Sequence, residues 1–144
     1  VYVLADERDL IRLRTNYRMG ETVYLYRTVA TPDTARTVLR AYLATVNELA
    51  SRPVWYNAIT SNCTTGIRIH TAGVAGTTPA AWDWRLLLNG KADEYAYEHG
   101  RLAGGLPFAA LKSQAVINDV ARPADQAADF SRIIRANRAG FDEP

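Results

Sequence analysis

The stretch LIRLRTNYR, Leu10 to Arg18, decides how the chain is read. Ile11 and Leu13 point one way and Arg12 and Arg14 the other, the period of two expected of a half-buried strand. Met19-Gly20-Glu21 then offers a turn. VYLYRTV, Val23 to Val29, alternates again, with Val23 and Leu25 on one face and Tyr24 and Tyr26 on the other. Together these predict a β-hairpin whose apolar face needs more protein against it than a hairpin offers. Upstream, Val1 to Leu4 is short and β-prone, and Asp6 to Asp9 is a charged break.

Downstream the pattern changes to the helical period. Thr31 is suited to an N-cap and Pro32 to the first helical position. Val38, Leu39, Tyr42, Leu43, Val46 and Leu49 follow at spacings of three and four, an amphipathic helix to about Ala50 that Pro53 closes. Further helices are expected from about Asn62 or Cys63 towards Thr71, over Ala81 to Leu88, over Lys91 to His99 before Gly100, over Pro107 to Val120 and over Asp125 to Arg138. Leu111, Ala115 and Asn118 share one side of the fourth, and Phe130, Ile133 and Ile134 pack from the last. The order is a little β and then mostly α, so the fold class is α+β, in one domain over residues 1–144.

Composition narrows the classes. A chain of 144 residues with 48% hydrophobic and 22% charged residues is globular, not disordered. No apolar run approaches the ~18 residues of a membrane span. The net charge is +2, and 15 of the 17 basic residues are Arg. They are interspersed with acids, without the basic stripe of a nucleic-acid binder. One Cys excludes an internal disulfide and a Cys-based zinc cage, and no P-loop, GxGxxG or HExxH motif occurs, so no cofactor and no metal are expected.

The densest polar chemistry lies at YNAITSNCTT, Tyr56 to Thr65. Cys63 stands where a loop should turn into a helix, with Thr60, Ser61 or Asn62 as the cap. A helix start presents free N–H groups and partial positive charge, which favour a thiolate. The N–H groups around Asn62 and Thr64 are also placed to hold a developing oxyanion. The plainer alternative is a small buried hydrophobe, the usual role of a lone Cys. A thiol nucleophile ordinarily needs a base. His70 lies about 10 Å from Cys63 along a shared helix, at ~1.5 Å per residue, too far for a hydrogen bond. His99 ends a helix before Gly100, where a C-cap role is natural. A base upstream of Val1 is the simpler expectation. Trp82-Asp83-Trp84-Arg85 sets two indoles about an acid and a base, a substrate contact or else a core or interface anchor. Arg12 and Arg14 are candidates for an anionic head group, against the alternative of a solvated face.

Four strings in this order carry a family resemblance: DERDLIRLRTNYR (Asp6 to Arg18), VYLYR (Val23 to Arg27), PVWYNAITSNCTT (Pro53 to Thr65) and WDWRLLLNGKADE (Trp82 to Glu94). They resemble a bacterial envelope family, once catalogued as a domain of unknown function and now described as the N-terminal periplasmic domain of a lipoprotein N-acyltransferase, Lnb. The resemblance implies a permuted papain-like (NlpC/P60-like) thiol fold of which this chain is the C-terminal part. It implies Cys63 as nucleophile and a family His upstream of Val1, so that the chain alone lacks its base. The implied chemistry is acyl transfer through a thioester on Cys63, from a lipid donor to the amine of a lipoprotein. Tyr56, Asn57, Trp82, Asp83, Arg85 and Arg14 are then the candidate substrate contacts. The implied location is the periplasm, close to a membrane.

Three functions are therefore set side by side: a Cys-dependent acyltransferase, a cysteine hydrolase of peptide or amide bonds, and a non-catalytic interaction module. Each implies a lipid, lipoprotein or peptide partner and no nucleic acid. An unpaired sheet edge would further predict that the chain self-associates as a dimer.

Overall fold

The computed structural model describes residues 3–55 and 90–141. They fall into two compact units: Val3–Val29 with residues 100–141, and residues 30–55 with 90–99.

In the first unit the chain opens with Val3 to Ala5 in no regular structure, Val3 and Leu4 being exposed, in place of the expected strand. Leu10 to Tyr17 is helical, which removes the expected hairpin. Helix α1 spans Glu7–Arg12. Asp6 caps it, its carboxylate accepting from the Arg8 N–H at 2.9 Å, and Glu7 and Asp9 place negative charge in the first turn. These start signals outweigh a short alternation of apolar and basic residues. The helix continues into one widened turn, Leu13–Tyr17, in which the Arg18 N–H reaches back five residues to the Leu13 carbonyl at 3.1 Å. Thr15 is buried there, its hydroxyl donating to the Ile11 carbonyl at 3.0 Å.

The second arm is extended as expected, but it pairs with distant sequence. Tyr24 bridges antiparallel to Val116, and Thr28 to Leu102. The Leu25 N–H donates to Ala115 at 2.8 Å and the Ile117 N–H to Val23 at 3.0 Å. The Ala103 N–H donates to Arg27 at 2.8 Å and the Val29 N–H to Arg101 at 3.1 Å. Strand is thus confined to isolated bridges, and the described fold is mainly helical.

The pairing at Val116 also cuts the helix expected over Pro107 to Val120. Its pieces are α4, Phe108–Ala115, and α5, Asn118–Ala121. The β-branched Val116 between them is extended and bridged rather than helical, and Ile117 opens the next helix. Asn118 brackets this junction: its amide donates to the Glu21 carbonyl at 2.9 Å and its side-chain oxygen accepts from the Val23 N–H at 2.8 Å. Leu111, Ala115 and Asn118 are all buried, so the face was read correctly although no single helix carries it.

The helix expected over Asp125 to Arg138 shrinks to α6, Phe130–Ile133, flanked by turns. Asp125 directs its carboxylate to Arg12 and Asn16 instead of capping a helix start. The core is nevertheless built where its apolar residues placed it. Ile117, Ala121, Ala124, Phe130 and Ile134 are buried together, with Ile11, Val23, Leu25 and Ile133 packed around them. Each fully buried Ile stabilises the fold by roughly 1.5–3 kcal/mol. Gly104, at φ 111°, lies so close to Ala139 that a Cβ there would meet the Ala139 Cβ at 2.8 Å.

In the second unit, α2 spans Pro32–Ser51, as its signals required. The Thr31 hydroxyl accepts from the Thr34 N–H at 3.2 Å, and the chain leaves the helix at Arg52, one residue before Pro53. Helix α3 spans Ala92–Glu98, with Asp93 and Glu94 in its first turn, and Gly100, at φ 62°, follows it. Among the described residues of this unit none is fully buried.

Candidate functional site

The segment richest in chemistry lies outside the described residues. That covers Cys63, Asn62, Thr64, His70, Tyr56, Asn57, Trp82, Asp83 and Arg85, and with them the helices expected from Asn62 and over Ala81 to Leu88. Three candidates are described, His99, Arg14 and Arg12.

His99 closes α3, where its backbone N–H donates to the Tyr95 carbonyl at 3.2 Å. The C-cap expected of it is therefore present. Its ring does more. Nδ1 lies 2.8 Å from the same Tyr95 carbonyl oxygen, and the imidazole stacks on the Tyr95 ring with centroids 4.0 Å apart. A carbonyl only accepts, so Nδ1 carries the proton. In the neutral imidazole Nε2 then keeps its lone pair. The side chain is exposed, so Nε2 is oriented and basic without being enclosed. Sequence reasoning missed Tyr95 as the orienting partner, although its spacing of four from His99 on a helix is the signal that finds it.

Arg14 lies in the widened turn, not on a strand face. It pairs with the Glu21 carboxylate at 3.2 Å, and Arg18 pairs with the other oxygen at 3.2 Å. Partial desolvation pushes Glu21 up, but the two guanidiniums more than offset it and hold its carboxyl below the ordinary range. Arg12, the other proposed head-group contact, donates to both Asp125 oxygens, at 2.5 and 3.1 Å. Its guanidinium also lies over the Tyr17 ring, 5.7 Å from the centroid. The Arg12 hydrogen bond is the main reason the Asp125 carboxyl is held low. Glu7, in the charged stretch Asp6 to Asp9, belongs to an ion network: it accepts from Arg135 and from the Ser131 hydroxyl. The Arg135 hydrogen bond is the main cause of its lowered pKa. These groups fasten α1 to the residues around Asp125 and α6.

Among the described residues no three His, Cys, Asp or Glu side chains gather as a metal site, and no helix is long and apolar enough to cross a membrane. The family model of the Lnb N-terminal periplasmic domain matches residues 1–90. The chain belongs to that family. Its place is accordingly the bacterial periplasm, in a lipoprotein-related setting. No curated protein and no solved structure matches the chain. The match takes in α1, the extended segment Val23–Val29, α2 and Cys63, whereas His99 and the residues that pair with Val23–Val29 lie beyond it.

Proposed function

We propose that this chain belongs to a Cys-dependent acyltransferase of the bacterial envelope, with Cys63 as nucleophile. The observation that carries the reading is the family match over the segment holding the sole Cys, in its Thr-Ser-Asn-Cys-Thr-Thr setting. The Cys63 thiolate attacks the carbonyl carbon of a lipid ester. The tetrahedral oxyanion collapses, the C–O bond breaks, and the alkoxide leaves as the alcohol by taking up the proton that the Cys63 thiol lost on ionising. The thioester carbonyl is then attacked by a neutral α-amine of a lipoprotein. An amide forms, the C–S bond breaks, the amine gives up its proton and the thiolate returns. The second step needs a base for the ammonium proton, and the Nε2 of His99 is a candidate of the right tautomer.

The test uses the full-length protein with a diacylglycerol-type ester and a peptide bearing an N-terminal amine, followed by intact mass. Wild type should carry an acyl adduct that maps to Cys63 and yield acylated peptide. Cys63→Ala should lose both, and His99→Gln should slow peptide acylation more than adduct formation. Full transfer by Cys63→Ala would sink the reading. Peptide cleavage without acyl transfer would replace it with a cysteine hydrolase.

A further inference from the structure

Ten arginines lie in the described part of the unit formed by residues 3–29 and 100–141. Eight of them have a partner for the guanidinium. Arg12, Arg14, Arg18, Arg132 and Arg135 pair with carboxylates. Three others, Arg8, Arg122 and Arg138, donate to backbone carbonyls. Arg27 and Arg101 remain, both exposed and with no side-chain partner among the described residues.

The backbone puts these two on one face. Thr28 and Leu102 stand opposite each other in an antiparallel bridge, so Arg27 faces Ala103 and Val29 faces Arg101. Side chains alternate along each segment, which sends Arg27, Val29, Arg101 and Ala103 to the same side. Gly140 confirms that side. A Cβ built on it would lie 3.0 Å from the Ala103 Cβ and 3.2 Å from the Arg27 Cβ. Gly140 lies beside the Arg27 Cβ, and Val29 next to it is 56% exposed. Two guanidiniums without a partner among the described residues, about an exposed apolar side chain, are complementary to a phosphate-bearing apolar surface. Neither group contributes to the ion pairs that hold this unit together.

We propose that Arg27 and Arg101, with Val29 between them, dock this unit on an anionic phospholipid surface. The guanidiniums bind head-group phosphates and Val29 meets the interface. This role stands without the reading of Cys63. It is tested with the full chain by co-sedimentation with phosphatidylcholine vesicles, with and without phosphatidylglycerol, at low and at physiological salt. Binding should require the anionic lipid and weaken with salt. Arg27→Gln/Arg101→Gln should weaken it about tenfold or more. Its thermal midpoint should stay unchanged, since no partner among the described residues is lost. Arg27→Lys/Arg101→Lys should restore most of the binding, and Arg36→Gln, at an arginine already paired with Asp33, should leave it intact. Equal binding by the Gln double variant, or equal binding to both kinds of vesicle, would overturn the proposal. So would displacement by millimolar inorganic phosphate, which would make this a site for small anions.

Discussion

The two units are stabilised in different ways. The unit of residues 3–29 and 100–141 has a buried cluster around Ile117, Phe130 and Ile134, closed by Arg12–Asp125 and by Arg135–Glu7. In the other, the 20-residue helix α2 has no fully buried residue, and its clearest supports are local: the Thr31 cap, Pro32 in the first turn and the Arg36–Asp33 pair at 2.6 Å. Removing a core side chain should therefore act over a whole unit, and removing a cap over one turn. The unit with the buried core is the one whose elements pair across the sequence. Cys63 belongs to the other unit.

The largest effect expected is at Phe130. Phe130→Ala removes a ring that is 2% exposed and should cost about 3–5 kcal/mol, read as a lower urea midpoint. Amide protection should fall together over Val23–Val29 and residues 115–134, while α2 amides keep theirs. Equal loss in α2 would erase the contrast between the units. Next comes acid. Glu7, Glu21 and Asp125 have lowered pKa values in the folded state, so they bind protons less readily there than when unfolded. Their contribution is present above the ordinary carboxyl range and is lost as pH falls through the folded values. The urea midpoint should hold steady near neutrality and decline below about pH 4.5, the ordinary Glu value. In Glu7→Gln the midpoint at neutral pH should drop modestly and the acid decline should be shallower. A decline of unaltered depth in that variant would remove Glu7 from the account. The smallest effect is at Thr31. Thr31→Ala should cost about 1 kcal/mol and show as faster exchange of the first-turn amides of α2, with the urea midpoint of the other unit unmoved.

The same contrast explains what could be read from the sequence. Helix α2 was legible at both ends because its determinants, Thr31, Pro32 and Pro53, lie within it or beside it. The apolar members of the core, Leu111, Phe130, Ile133 and Ile134, were legible because burial follows from side-chain chemistry. What failed was what depends on distant partners. Leu10 to Arg18 alternates like a strand, yet the Asp6 cap and the burial of Thr15 make it a helix. Helix α4 stops at Ala115 because Tyr24, far away in sequence, claims Val116. At the candidate site, Cys63 is singled out by its polar neighbours, and those residues lie outside the described structure. His99 was read as a cap, but the tautomer that leaves its Nε2 lone pair free depends on the geometry of its contact with Tyr95, which spacing alone does not supply.

The hydrogen bond from the Val29 N–H to the Arg101 carbonyl has a topological consequence. The chain departs after Val29 and comes back at Gly100, so the 70 residues between leave and re-enter the unit at one rung. Residues 3–29 and 100–141 are thus a split host, and residues 30–99 a guest spliced into it. A host joined across this rung by a two-residue turn would keep every pairing described for it.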